Sequence, residues 1–207
     1  MMRAGRAVEV SRHSGEWLFV DVGFAKRARS CGLLRGDGQP EALSFADLRD
    51  RLCSNARSKG SPLNLLLEAP LSVAFSSAGN PTGRSFERRE KQTRYWYVGL
   101  GSSVMVAALY LLRAVHDLRP RREIRLFEGM VSFKEKGARS SHLDDVRLLR
   151  EVVWDPKSGA GMVISAEKFG TRSDDRVESA FRVSGMDFGV PAVVVAGVQQ
   201  AAPARVG

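Results

Sequence analysis

The sequence predicts an α/β fold: a single domain in which a mixed β-sheet is flanked by helices. Apolar runs of strand length alternate with segments that repeat apolar residues at helical spacing. Such alternation is typical of a sheet covered by helices. The first two predicted strands are joined by a short turn, which indicates a hairpin and hence an antiparallel pair. We expect the domain to span residues 16–197, between a loose basic arm at 1–15 and a disordered tail at 198–207.

The first predicted elements are two strands and a helix. Residues 17–23, WLFVDVG, form an apolar run with one acid in its middle, and residues 28–34 form the returning strand. Ser44 can cap a helix, because Asp47 lies three residues farther on. That helix is expected to end at Gly60.

The middle of the chain is expected to contribute a strand, a loop and two helices. Residues 63–69, LNLLLEA, form a buried strand that stops at Pro70, since proline cannot donate to a sheet ladder. Residues 72–83 are small, polar and rich in turn formers, which predicts a long loop. The charged segment 84–94 is expected to be helical, and an uncharged helix follows over 102–118.

The last third is expected to contain two strands and two helices. Residues 123–133 form a third buried strand, and residues 142–154 form a helix with apolar residues along one face. A second helix is expected from Ser173 or Asp174 to about residue 186. Residues 190–196 are apolar but include a proline, which favours an edge strand or a packed terminal segment.

Composition restricts the kinds of partner and site. The chain carries 32 Lys and Arg against 23 Asp and Glu, a formal net charge of +9. This balance favours an acidic partner, either nucleic acid or an anionic membrane surface. Two cysteines are too few for a disulfide scaffold or for a zinc site built on cysteines alone. Three histidines argue against a histidine-rich metal site. Any metal is expected to be held mainly by carboxylates, in a cytoplasmic protein with reduced thiols.

One uncharged stretch, residues 95–112, has eighteen residues, the lower limit for a membrane span. Gly99 and Gly101, followed by Ser102 and Ser103, instead indicate a turn and the start of a buried helix. We therefore expect no membrane span. We also expect no secretory signal, because the basic N-terminus lacks a long apolar core.

Acids in and after apolar strands are the informative feature of this sequence. A carboxylate inside a buried strand is costly unless it is paired or bound to a metal. The strand acids are Asp21, Glu68 and Glu128. A further group opens the predicted late helix and consists of Asp174, Asp175 and Glu178. The last two lie three residues apart and would share a helix face.

Carboxylates that converge from neighbouring elements repel one another without cations, and they suit Mg²⁺ or Mn²⁺. Two such ions about 4 Å apart clamp the attacking and leaving oxygens of a phosphodiester. The alternative is structural. Each strand acid would pair with one of the many arginines, and the acids at the helix start would complement the helix dipole.

The order of these acidic motifs resembles the RNase H-like superfamily, whose fold begins with a hairpin bearing a catalytic Asp on its first strand. FVDVGFAK, residues 19–26, looks like that strand and its turn, and LLLEAPLS, residues 65–72, looks like the later strand with the second acid. DDRVESA, residues 174–180, looks like the final acidic helix. The similarity is closest to predicted nucleases of this fold and more distant to RuvC-type Holliday-junction resolvases. LFEGMV, residues 126–131, stands where those nucleases have a Glu-containing motif that ends in proline.

This resemblance implies roles for individual residues. Asp21 would bridge two metal ions and Glu68 would hold one of them. Asp175, or its neighbour Asp174, would hold the other ion with help from Glu178. Glu128 would be a further ligand or a group that supports the ligands. Lys26, just after the Asp21 strand, would face the substrate phosphate, unless it is simply a solvated turn lysine.

A basic segment next to aromatic residues is a candidate for binding nucleic acid, because arginines suit phosphates and aromatic rings stack on bases. Its cations are Arg84, Arg88, Arg89, Lys91 and Arg94, followed by Tyr95, Trp96 and Tyr97. The alternative is a solvated helix face on which Glu87 and Glu90 pair with their neighbours while the aromatic residues enter the core.

The sequence therefore predicts a metal-dependent nuclease that acts on DNA or RNA. The oligomeric state is left open by the sequence, and the resemblance to resolvases implies that a homodimer, or a complex with a partner protein, is possible. One alternative is a binding or scaffold module that keeps the RNase H-like fold without catalysis. Another is an actin-like phosphotransferase, since Asp21-Val22-Gly23 fits that group's first strand. Those proteins need two such domains and a glycine-rich phosphate loop, for which 207 residues leave no room. A peripheral membrane protein is supported only by the charge and the uncharged helix.

Overall fold

The computed structural model describes residues 1–23, 30–89, 91–131 and 141–197. The strands are β1 (Met2–Ala4), β2 (Glu16–Asp21), β3 (Cys31–Arg35), β4 (Glu41–Leu43), β5 (Leu63–Glu68), β6 (Ser72–Phe75), β7 (Arg88–Arg89), β8 (Gln92–Thr93), β9 (Ile124–Val131), β10 (Gly161–Ile164), β11 (Arg176–Ser179) and β12 (Val193–Ala196). The α-helices are α1 (Phe45–Arg57), α2 (Leu100–Asp117) and α3 (His142–Trp154). Short 3₁₀ turns occur at Ala7–Glu9, Ala166–Lys168 and Ala180–Ser184.

The central sheet has eight strands in the order β10-β12-β9-β5-β2-β3-β4, and β1 pairs with the first residues of β9. Strands β2, β5, β9 and β12 are parallel to one another. Strand β3 is antiparallel to β2, and β4 is antiparallel to β3. The predicted mixed sheet and its hairpin are therefore confirmed.

Side-chain alternation along the central strands divides the core into two layers. Leu18 and Val20 of β2 point to one face, where they pack with residues of α1 and α2. Phe19 points to the other face, where it packs with Phe127 and with Leu149 of α3. The same alternation in β5 and β9 gives each face of the sheet a continuous apolar surface, against which the helices pack.

The helices follow local signals where the sequence contains them. Ser44 accepts a hydrogen bond from the backbone N–H of Asp47 and caps α1, as predicted. Helix α3 has the predicted bounds, with Ser141 as its N-cap. Helix α2 begins at Leu100, two residues earlier than predicted, and buries one face in the core. In the part of the chain that the structure describes, no helix has the length and apolarity that crossing a membrane requires.

Two predicted helices are wrong. Residues 84–94 contain the two-stranded hairpin of β7 and β8, and residues 173–186 contain β11 and a 3₁₀ turn. Strand β11 pairs antiparallel with β6, which lies in the segment predicted as a loop. Residues 84–94 contain a single apolar residue, Phe86, and fold into a local hairpin. In residues 173–186, pairing with the distant strand β6 overrides local helix propensity.

The two ends of the described chain also differ from the prediction. Residues 1–15 are not a loose arm, because β1 joins the sheet and Arg3 pairs with Glu9 and Glu123 at 2.6 and 2.7 Å. The hydrogen bond from Arg3 lowers the pKa of Glu9 to about 2. Strand β12 is an interior strand, not an edge, since it lies between β10 and β9. Pro191 does not prevent this, because it precedes the first paired residue of β12 and leaves the ladder intact. The predicted tail at 198–207 lies outside the described residues.

Candidate metal centre

Two of the predicted strand acids lie side by side at one end of the sheet. Asp21 and Glu68 are the last residues of the parallel strands β2 and β5, and they are register partners. Residues paired in this way point to the same face of a sheet, here the face that α3 covers. Asp21 is only 3% exposed, whereas Glu68 is partly exposed.

A third carboxylate comes from the first turn and a half of α3. Asp145 is buried, and one of its oxygens lies within 4.8 Å of a carboxylate oxygen of Asp21 and of Glu68. Two ligands of one Mg²⁺ or Ca²⁺ ion lie at most about 4–5 Å apart, twice the usual metal–oxygen distance. The three side chains therefore fit a shared hard cation.

Glycines on both sides of the two strand acids let α3 approach the sheet. Gly32 of β3 is the register partner of Asp21, and Gly129 of β9 is the register partner of Glu68. A Cβ on Gly32 would clash with the backbone of His142, and a Cβ on Gly129 would lie 3.0 Å from Leu149. This row, Gly32-Asp21-Glu68-Gly129, is what brings the N-terminal turns of α3 down onto the acids.

We expect Gly32→Ala to move the start of α3 away from the sheet. The substitution should lower the free energy of unfolding by about 1–3 kcal/mol, the usual effect of overpacking. It should also weaken Mn²⁺ binding, because Asp145 leaves the other two acids. Urea unfolding and the Mn²⁺-induced rise in melting temperature measure both effects. Gly38→Ala, in the turn after β3, is the control. Equal Mn²⁺ binding by the two variants would show that the close approach of α3 is not required.

His142, the first residue of α3, contacts the same cluster. Its Nδ1 lies 2.7 Å from Oδ2 of Asp21. The ring is 45% exposed, so it forms part of the rim of the site. This contact fixes the orientation of the Asp21 carboxylate toward the other two acids.

The sequence analysis missed both Asp145 and His142. A signal for Asp145 was present, because Leu149 and Val152 lie four and seven residues after it and belong to the apolar face of α3. An acid at that position points at the sheet instead of the solvent. No comparable signal marks His142, whose contact with Asp21 depends on the packing of α3.

Glu128 is not part of this cluster. It is the register partner of Leu67, one position away from the Glu68 row, so it points to the other face of the sheet. There it forms an ion pair with Arg84 at 2.8 Å and accepts a hydrogen bond from the backbone N–H of Leu71. The alternative interpretation, a strand acid paired with an arginine, is correct for this residue.

Arg84 is not a surface cation. It is 2% exposed and also pairs with Glu87, at 2.8 Å. Burial alone would lower the pKa of Arg84, but the charges of Glu128 and Glu87 raise it. Arg84 is therefore a charged structural residue that pairs with two buried carboxylates, and its contact with nucleic acid stays a prediction.

The late acids lie elsewhere. Asp174 is exposed, and Asp175 accepts hydrogen bonds from the backbone N–H groups of Thr171 and Arg172. Glu178 of β11 pairs with Arg176 at 2.7 Å. Among the described residues, the group of acids that could share a metal does not include these three. Because the predicted helix is absent, Asp175 and Glu178 do not present a common face.

The remaining basic residues divide into three groups. Arg88 and Lys91 are exposed on the β7–β8 hairpin. Arg94 follows the hairpin, and its Nη1 donates to the carbonyl of Val131 at 3.0 Å. Arg89 belongs to β7, but its side chain lies outside the described part of the structure, as does the whole of Lys26.

A cavity of about 510 Å³ opens at the three acids. Its lining includes Asp21, Glu68 and Asp145, the basic residues Arg84 and Arg94, and apolar side chains from the start of α2. Carboxylates, a cation and an apolar wall therefore meet in one solvent-accessible space. This combination can hold a divalent cation and an anionic organic group together.

Neither a protein-family model nor a curated protein nor a solved structure matches this chain.

Proposed function

We propose that the protein is a metal-dependent nuclease that hydrolyses phosphodiester bonds with Mg²⁺ or Mn²⁺ held by Asp21, Glu68 and Asp145. The observation that carries this proposal is the convergence of three carboxylates from two strand ends and a helix within 4.8 Å. When bound, a pair of such ions supplies an activated water and stabilises the charge on the attacking and leaving oxygens.

The arrangement of elements supports an RNase H-like fold. The resemblance implied a first hairpin with an acid on its leading strand, a second acid at the end of a later strand, and a third acid on a helix. Asp21 on β2 and Glu68 on β5 occupy the first two of these places. Asp145 on α3 occupies the third, which the sequence analysis had assigned to residues 174–178.

The chain's own residues have separable roles in this proposal. The three carboxylates hold the cations, and His142 orients Asp21 through its 2.7 Å contact. Arg94 binds the phosphate at the rim of the cavity. Arg88 and Lys91, exposed on the hairpin just before it, contact the neighbouring phosphates of the backbone. The net charge of +9 favours approach of a polyanion.

We expect the protein to cleave at least one member of a labelled panel of single-stranded, duplex, hybrid and branched substrates with Mn²⁺. EDTA and Asp21→Asn should each abolish cleavage, because both remove cation binding. Asp174→Asn, which changes an exposed acid of the same type, is the matched control and should cleave like the unmodified protein.

Results that differ from these expectations would point to a different function. Nucleic-acid binding that is indifferent to Asp21→Asn, without cleavage or Mn²⁺ binding, would replace the nuclease with the scaffold function. Cleavage that persists in EDTA would contradict the carboxylate-held metal.

A further inference from the structure

The cavity at the metal centre has an apolar part that cation binding does not explain. Its larger apolar lining residues include Val22, Tyr95, Val98, Leu100, Val104 and Met130. Val98 and Leu100 are 56% and 76% exposed. Large apolar side chains that remain in contact with water beside three carboxylates indicate a surface that a ligand covers.

A basic side chain, that of Arg94, lies between the acids and this apolar part of the cavity. The backbone N–H of Val131 donates to Oε1 of Glu68 at 3.3 Å, and the carbonyl of the same residue accepts from Arg94 at 3.0 Å. Val131 therefore links Arg94 to the metal centre through two hydrogen bonds, and Tyr95 follows Arg94 in the sequence. Within the described ranges Arg94 pairs with no carboxylate, so its other N–H groups are available to an anion.

Tyr95 has the geometry of a stacking platform. Its ring stacks on Tyr97, with centroids 5.4 Å apart and planes at 16°. The Cδ1–Cε1 side of the ring also packs against Gly83, where an added Cβ would lie 2.6 Å from Cδ1. These contacts hold the tyrosine in place while the ring still lines the cavity.

We propose that this apolar part of the cavity binds an unpaired nucleobase next to the phosphate at the metal centre. The proposal rests on the proposed nuclease function and specifies its substrate: nucleic acid that is single-stranded at the cleaved position. An unstacked base offers its flat face to Tyr95 and Leu100, whereas bases inside a duplex are covered by their neighbours. The phosphate of the same nucleotide reaches Arg94 and the bound cations.

The test compares a short oligothymidine with the same strand carrying abasic nucleotides, which keep the phosphates and lose the bases. Binding is measured with Ca²⁺ in place of Mn²⁺, so that cleavage does not interfere. We expect the thymidine strand to bind at least tenfold more tightly, a factor that corresponds to about 1.4 kcal/mol. A fully paired duplex of the same sequence should bind more weakly and be cleaved at least tenfold more slowly.

Protein variants place the effect in this cavity. The preference for thymidine over abasic strand should fall about tenfold in Tyr95→Ala and about threefold in Leu100→Ala. It should be unchanged in Tyr110→Ala, a tyrosine that is 60% exposed on α2 and outside the cavity lining. Because a preference is a ratio, partial unfolding of a variant cancels from it, and Leu100 is exposed enough to be truncated safely.

Equal affinity for the two strands, or a preference that both cavity variants retain, would overturn the base subsite. Metal-dependent cleavage with either of those results would leave the nuclease standing and remove only the subsite. A preference lost in Tyr95→Ala without cleavage of any substrate would keep the subsite and reject the nuclease.

Discussion

Asp145→Asn is expected to reduce Mn²⁺ binding by at least about a hundredfold and to abolish metal-dependent cleavage. The amide keeps the size of the side chain and loses the negative charge that balances the cation. Two carboxylates at the ends of β2 and β5 would remain, without the third ligand from α3. Calorimetric Mn²⁺ titration and the Mn²⁺-induced rise in melting temperature measure the loss directly.

This variant also decides between two ligand sets. Asp175→Asn and Glu178→Gln remove acids that the sequence places in the metal site and the structure places beside Arg172 and Arg176. We expect both to bind Mn²⁺ like the unmodified protein. Mn²⁺ binding that is lost in these two variants and kept in Asp145→Asn would instead restore the set that the sequence predicts.

The part of the site that could be predicted depends on strand register. Asp21 and Glu68 stand out because each is an acid within or at the end of a run of apolar residues, and parallel neighbouring strands bring their ends together. Asp145 is harder to recognise from the sequence, since acids in the first turn of an amphipathic helix are also common as capping residues. Its position four residues before Leu149 distinguishes it from Asp144, which caps the helix from an exposed position.

The late acids misled for the opposite reason. Asp174, Asp175 and Glu178 have the spacing of a helix face, but their segment is extended and pairs with β6. That pairing joins residues about a hundred positions apart, and local sequence does not encode it. The central strands and α1 and α3 could be predicted because their own apolar periodicity and caps define them, independent of distant partners.

The buried charges near the cavity are where sequence and structure differ most. A cluster of arginines beside aromatic residues is typical of nucleic-acid contact, and Arg88 and Lys91 keep that interpretation. Arg84 lies only four residues before Arg88, yet its guanidinium is enclosed between Glu87 and Glu128. Sequence patterns count both arginines alike, because the distinction depends on which guanidinium lies between the buried carboxylates of Glu87 and Glu128.

Arg84→Met is expected to lower the free energy of unfolding by about 3–5 kcal/mol, because it leaves the Glu87 and Glu128 carboxylates buried without their cation. For a chain of this size that corresponds to a fall of about 10 °C in melting temperature. Urea unfolding gives the free-energy change. The loss should be smaller in a Glu128→Gln background, since one of the two charges is then already absent.

Arg88→Met is the matched control and should show the opposite pattern. Its side chain is exposed, so stability should change by less than about 0.5 kcal/mol. Affinity for single-stranded nucleic acid should fall, and the slope of log Kd against log salt should decrease by about one phosphate contact. If Arg84→Met keeps full stability and loses nucleic-acid affinity instead, the buried ion pairs do not hold this part of the fold together. The sequence-based assignment of Arg84 as a phosphate ligand would then be the correct one.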